Sequence, residues 1–113
     1  METSRWVQSE LAGLKRDADD AGLRFREARK HCLRSNMQYY FHRELLKLKP
    51  LPIFAPSAER RAQLNTEAAE RVRHWDAERQ AARIALDNAK LNLDKAVTRY
   101  REAKSRQGKK HEG

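Results

Sequence analysis

From Ala68 onward, small and hydrophobic residues, with Arg79 the one charged member, recur at alternating steps of four and three: Ala68, Val72, Trp75, Arg79, Ala82, Leu86, Ala89, Leu93, Ala96, Tyr100 and Ala103. That spacing keeps them on one side of an α-helix, the seam along which one helix lies against another. Ala82, Ala89, Ala96 and Ala103 hold one heptad position, and Leu86, Leu93 and Tyr100 hold the other. Small and large side chains therefore alternate, which lets a neighbouring helix approach closely. The N-terminal half carries a matching seam of Val7, Leu11, Leu14, Ala18, Ala21, Phe25, Ala28, Cys32, Ser35, Tyr39, His42 and Leu46.

The pattern predicts two helices. The first spans about 4–47, with Ser4 placed as its N-cap and Pro50 forbidding continuation, because the residue before a proline is driven out of the α region. Gly13 and Gly22 each cost about 1 kcal/mol relative to alanine in a helix interior. Ser35-Asn36 is a further weak point, where a break would leave a short separate helix at 37–48. Pro50, Pro52 and Pro56 make 48–56 an extended elbow. Ser57 then caps a second helix over 57–107, with Glu59 in the first turn where the helix dipole favours a carboxylate. Gly108 ends it and leaves 108–113 as a flexible basic tail.

Two long helices joined by a short connection fold back on each other. The expected fold is all-α: a long antiparallel, coiled-coil-like hairpin forming a single domain over 1–107. Pairing about the elbow puts Phe25 and Cys32 near Trp75–Ala82, and the helix-packing seam comprises Phe25, Cys32, Val72, Trp75, Ala82, Leu86, Ala89, Leu93 and Tyr100. Apolar residues off the seam, among them Trp6, Leu33, Leu45, Leu64, Ile84 and Leu91, call for a second layer. A homodimer with a four-helix arrangement would supply it.

Composition agrees with that picture and narrows the chemistry. Charged residues make up 36% of the 113, hydrophobic ones 39%, and only four Gly and three Pro interrupt the helical pattern. No apolar run is long enough to span a bilayer, and residues 1–8 have no apolar signal core, so a soluble, cytoplasmic protein is expected. Cys32 is the single cysteine, which excludes an intramolecular disulfide; on the seam it reads as a small buried hydrophobe rather than a redox switch. There is no Gly-rich phosphate loop, nucleophile elbow or His-Glu-x-x-His arrangement. His31, His42, His74 and His111 place no two on one helical turn. No catalytic, cofactor-binding or metal-binding residue is assigned, and the chain reads as a non-enzyme.

The net charge of +9 and pI of about 10.1 raise three partner classes: an acidic protein, nucleic acid and an anionic membrane. Arg24, Arg26, Arg29, Lys30 and Arg34 form a basic face opposed by Glu27 alone. Arg99, Arg101, Lys104, Arg106, Lys109 and Lys110 form a second run against Glu102. Specific DNA readers need a short recognition helix or a basic region leading into a zipper. Here the basic run lies inside a seam-bearing helix, as a solvated face does, so nucleic acid ranks below an acidic protein. A membrane surface ranks lower still, because neither basic stretch has a wide apolar face bearing Trp or Phe.

The richest apolar stretch surrounds the elbow. Tyr39, Tyr40 and Phe41 point in three directions about 100° apart on a helix, so they cannot all enter one seam. With Leu45, Leu48, Ile53 and Phe54 they either cap the end of the bundle beneath the elbow or form a partner-binding patch of the composition found in interface hot spots. In size and layout, with this aromatic end and these basic faces, the chain resembles the small cytoplasmic anti-activators that hold bacterial LuxR-type quorum-sensing receptors inactive, the QslA-like type being nearest. The resemblance implies a non-catalytic regulator that binds an activator's ligand-binding domain and blocks its dimerisation and hence its DNA binding. A charge-dense helical hairpin also resembles the stalk proteins of type III secretion and flagellar export, which implies a structural or adaptor role. A nucleic-acid-associated basic protein is the third reading.

Overall fold

The computed structural model describes residues 2–48 and 57–112, with side chains described for 8–48 and 57–108. They form two α-helices, α1 (Glu2–Lys47) and α2 (Ala58–Glu112), paired as an antiparallel hairpin. The fold is all-α, and among the described residues there is no strand. Pro50, Leu51, Pro52, Ile53, Phe54 and Pro56, and the side chains of Trp6, Val7, Lys109, Lys110 and His111, lie outside the described residues.

Both seams are where the heptads put them. Every α2 seam residue from Ala68 to Ala103 is buried or half-buried, and so is every α1 seam residue from Leu11 to His42. Leu46 is the exception, exposed at the last turn of α1.

Helix boundaries follow from identifiable backbone chemistry. The Ser57 hydroxyl accepts a hydrogen bond from the Arg60 amide at 3.3 Å, and its carbonyl takes the Arg61 amide at 2.9 Å. Ser57 is thus the N-cap of α2, with Glu59 in the first turn. Two other expectations are corrected, the start of α1 and the end of α2. Helix α1 begins at Glu2, so Ser4 lies inside it rather than capping it. At Ser35-Asn36, where the sequence left a break open, α1 runs on as the single helix expected: Ser35 is enclosed in the seam and the Asn36 amide reaches back one turn to Cys32 Sγ at 4.0 Å. Helix α2 does not stop at Gly108 but continues to Glu112. A lone glycine costs only about 1 kcal/mol, no proline follows it, and the cations there suit a helix C-terminus.

The hairpin divides into two compact units, 1–29 with 85–113 and 30–84. In the unit 30–84 the register is set by side chains of very different shape. The His42 ring lies flat on Trp75, 6.3 Å between centroids and 5° from parallel. One heptad step along, the Arg79 guanidinium carbon sits 4.2 Å from the centre of the Tyr39 ring. A further step brings Ser35 level with Ala82, exposed to only 1% and 2%. With Cys32, these are the buried residues among those described, and all three are small. This register carries the first turns of α2 past the end of α1, and residues 57–67 are all exposed.

In the unit 1–29 with 85–113, a β-carbon on Gly22 would lie 3.8 Å from Leu93 Cδ1, which places these two side by side. The next seam step puts Phe25 level with Ala89. The expected pairing of Phe25 with Trp75–Ala82 is therefore corrected, whereas Cys32 does share a groove with Arg79 and Gln80. Fit between seam side chains sets the register here, and symmetry about the elbow does not.

Candidate protein-binding surface

Within the unit 30–84, the aromatic triplet separates as the helical geometry requires. Tyr39 is half-buried in the seam beneath Arg79, and its ring meets Tyr40 edge-on at 5.2 Å. Tyr40 and Phe41 turn outward, 52% and 58% exposed, and Leu45 and Leu48 are exposed with them. Phe41 contacts the His42 ring edge-on at 5.3 Å, so the outer aromatics rest on the same inter-helix stack that fixes the register.

The surface is longer on α1 than the sequence reading placed it. Leu33 and Met37 are also exposed, Met37 to 72%. Positions 33, 37, 40, 41 and 48 fall within one third of the helix circumference, on the side of α1 away from the seam. The result is a second apolar stripe, Leu33, Met37, Tyr40, Phe41 and Leu48, with Leu45 at its edge. Its clue was present in the sequence as a three-and-four spacing offset from the stronger heptad, but the heptad accounted for the helix and drew attention away from it.

The charge around this stripe is mostly positive. Lys30, Arg34, Arg43 and Lys47 are exposed on the same stretch of α1. Glu44 is the acidic residue among them, and it pairs with Lys47 at 3.2 Å, a contact of small energetic weight because both groups are exposed. Of the expected basic face, Lys30 and Arg34 border the stripe, while Arg24, Arg26 and Arg29 belong to the other unit and are exposed there.

The seam side of this unit holds the cation that steadies it. Arg79 Nε and Nη2 donate to Asp76 Oδ1 at 3.2 and 2.7 Å, and Gln80 Nε2 donates to Asp76 Oδ2 at 3.3 Å. The hydrogen bonds from Arg79, helped by its charge, hold the Asp76 carboxyl below its ordinary range, and the Arg79 pKa is raised in return. Asp76 thus aims Arg79 at Tyr39. Cys32, Asn36, Tyr40, Arg79, Gln80, Arg83 and Ile84 line a groove of about 380 Å³, and the Cys32 thiol is buried, as a packing residue is.

Among the described residues, no group of three or more His, Cys, Asp or Glu side chains could hold a metal ion. No helix there is long and apolar enough to cross a membrane. No known protein family, curated protein or solved structure matches this chain.

Proposed function

We propose that the protein is a non-catalytic protein-binding regulator, an anti-activator that covers a surface its target needs for dimerisation or DNA binding. The observation that carries this reading is the exposed stripe Leu33, Met37, Tyr40, Phe41 and Leu48 on a helix whose opposite face already packs in the seam. Clustered exposed apolar side chains mark binding sites. Tyr, Phe and Met give rigid or adaptable contact area, and cations at the rim steer encounter and fix orientation.

The rim also selects the partner's charge. A second copy of the same stripe would bring Lys30, Arg34, Arg43 and Lys47 together with Glu44 as the one acidic residue on that stretch, whereas an acidic surface with an apolar groove complements both features. The proposed partner is therefore an acidic protein, a LuxR-type activator on the anti-activator reading.

The test mixes the purified protein with a LuxR-type activator from the same cell and its promoter DNA. Loss of the activator–DNA complex is expected, with the Tyr40→Ala, Phe41→Ala double variant at least about tenfold weaker than the parent, since hot-spot aromatics each carry about 2 kcal/mol or more. An intact DNA complex with a well-folded parent protein would refute the anti-activator role. Full potency in the double variant, with helicity retained, would put the contact elsewhere.

A further inference from the structure

A second surface, in the unit 1–29 with 85–113, has a different electrostatic character. Asp17, Asp20, Ala21 and Arg24 on α1 and Ala85, Asn88, Ala89, Asn92 and Arg99 on α2 line a groove of about 560 Å³ running along the hairpin. Its small residues, Ala21, Ala85 and Ala89, have no side chain beyond Cβ, so another helix can approach closely. Its walls carry both signs of charge. Among the described residues, none of Asp17, Asp20, Arg24 and Arg99 forms an ion pair or a side-chain hydrogen bond within the chain.

We propose that this groove is the face through which two copies of the chain associate. The argument is self-complementarity, which a two-fold interface demands, since each residue must suit a contact that is made twice. The Gly22–Leu93 contact fixes the levels of the two helices and puts Arg99 beside the Asp17 turn and Asn92 beside the Arg24 turn. A two-fold axis parallel to the helices lays α1 of each copy on α2 of the other. Asp17 and Asp20 then meet Arg99 of the second copy, and Arg24 meets the carboxamides of Asn88 and Asn92, which accept from a guanidinium.

The neighbours so formed are antiparallel and α1 lies between two α2 helices, which is the arrangement of an up-and-down four-helix bundle. Polar groups at a helix seam of this kind fix register more than they add affinity. The stripe bordered by Lys30 and Arg34 lacks this self-match, so the two surfaces differ in occupant: a second copy in the groove and an acidic protein on the stripe. The proposal stands independently of the regulator reading.

Sedimentation equilibrium on the full chain tests it through a charge swap. The parent is expected to be a dimer at micromolar concentration. Asp17→Arg with Asp20→Arg, and separately Arg99→Asp, should each weaken self-association by about tenfold or more, because close charge pairs couple by more than 1 kcal/mol and like charges now face each other. An equimolar mixture of the two variants should restore association to within about threefold of the parent, since the swapped charges attract across the interface. Circular dichroism establishes that each variant is helical, and the restored mixture shows that each is competent to pair. A monomeric parent, helical variants that dimerise as the parent does, or helical variants whose mixture stays monomeric would each overturn the proposal. So would loss of the dimer on Met37→Glu with Phe41→Glu in a helical variant, because the stripe would then be the self-association face.

Discussion

Ser35 buries a hydroxyl in the seam, level with Ala82. Its Oγ is buried and has no hydrogen-bond partner. An unpaired buried hydroxyl costs on the order of 1–3 kcal/mol, and alanine fills nearly the same volume with a better helix propensity. Ser35→Ala is therefore expected to raise the free energy of unfolding by about 1 kcal/mol in urea denaturation. Ser35→Leu should lower it by about 1–3 kcal/mol, because Ala82 leaves no room opposite. At Asp76, the carboxyl titrates lower in the folded chain than in the unfolded one. Its ionised form consequently adds stability that is present above the unfolded pKa and is lost as pH falls from about 4 through the lower folded value. In thermal melts below about pH 4, Asp76→Asn should lose less stability on acidification than the parent.

At the scale of the helices, the heptads told which residues face the partner helix but not where along it they meet. Each seam is a local periodicity, legible within a few turns of one segment. Register depends on fit between residues far apart in the chain: His42 on Trp75, Arg79 on Tyr39, Gly22 beside Leu93. The same fit decides how much α1 depends on its glycines. A β-carbon at Gly13 meets nothing within 4 Å, and one at Gly22 meets Leu93 at ordinary contact distance. Gly13→Ala and Gly22→Ala should each stabilise the chain by about 0.5–1 kcal/mol, read from the denaturation midpoint. Ser57→Ala should cost about 1 kcal/mol through loss of the N-cap at Arg60.

For the molecule as a whole, the buried residues among those described are three small ones, while Leu33, Met37, Tyr40, Phe41, Leu48, Ile84 and Leu91 remain exposed. If two copies associate through the groove of Asp17, Asp20, Arg24 and Arg99, the melting temperature rises with protein concentration, as mass action requires for a folded dimer. Part of the candidate surface could be read beforehand: the segment around Tyr40 and Phe41 was legible because three consecutive aromatics cannot share one seam. Leu33 and Met37 join it through their exposure, which the heptad alone does not give. Leu33→Ala and Met37→Ala should each weaken binding of the acidic partner by about 1 kcal/mol or more in a titration, with little change in helicity.

The sequence by itself determined that the chain forms two helices with facing seams, because a repeat of four and three is a property of each helix alone. It also determined that Tyr40 or Phe41 must look outward, because side-chain directions on a helix are fixed at about 100° per residue. Only the tertiary structure decided the register, the continuity of α1 and the gathering of Asp17, Asp20, Arg24 and Arg99 along one groove. These depend on close contact between residues dozens of positions apart, where the shape of a side chain outweighs its class. A heptad records class and leaves shape to the packing.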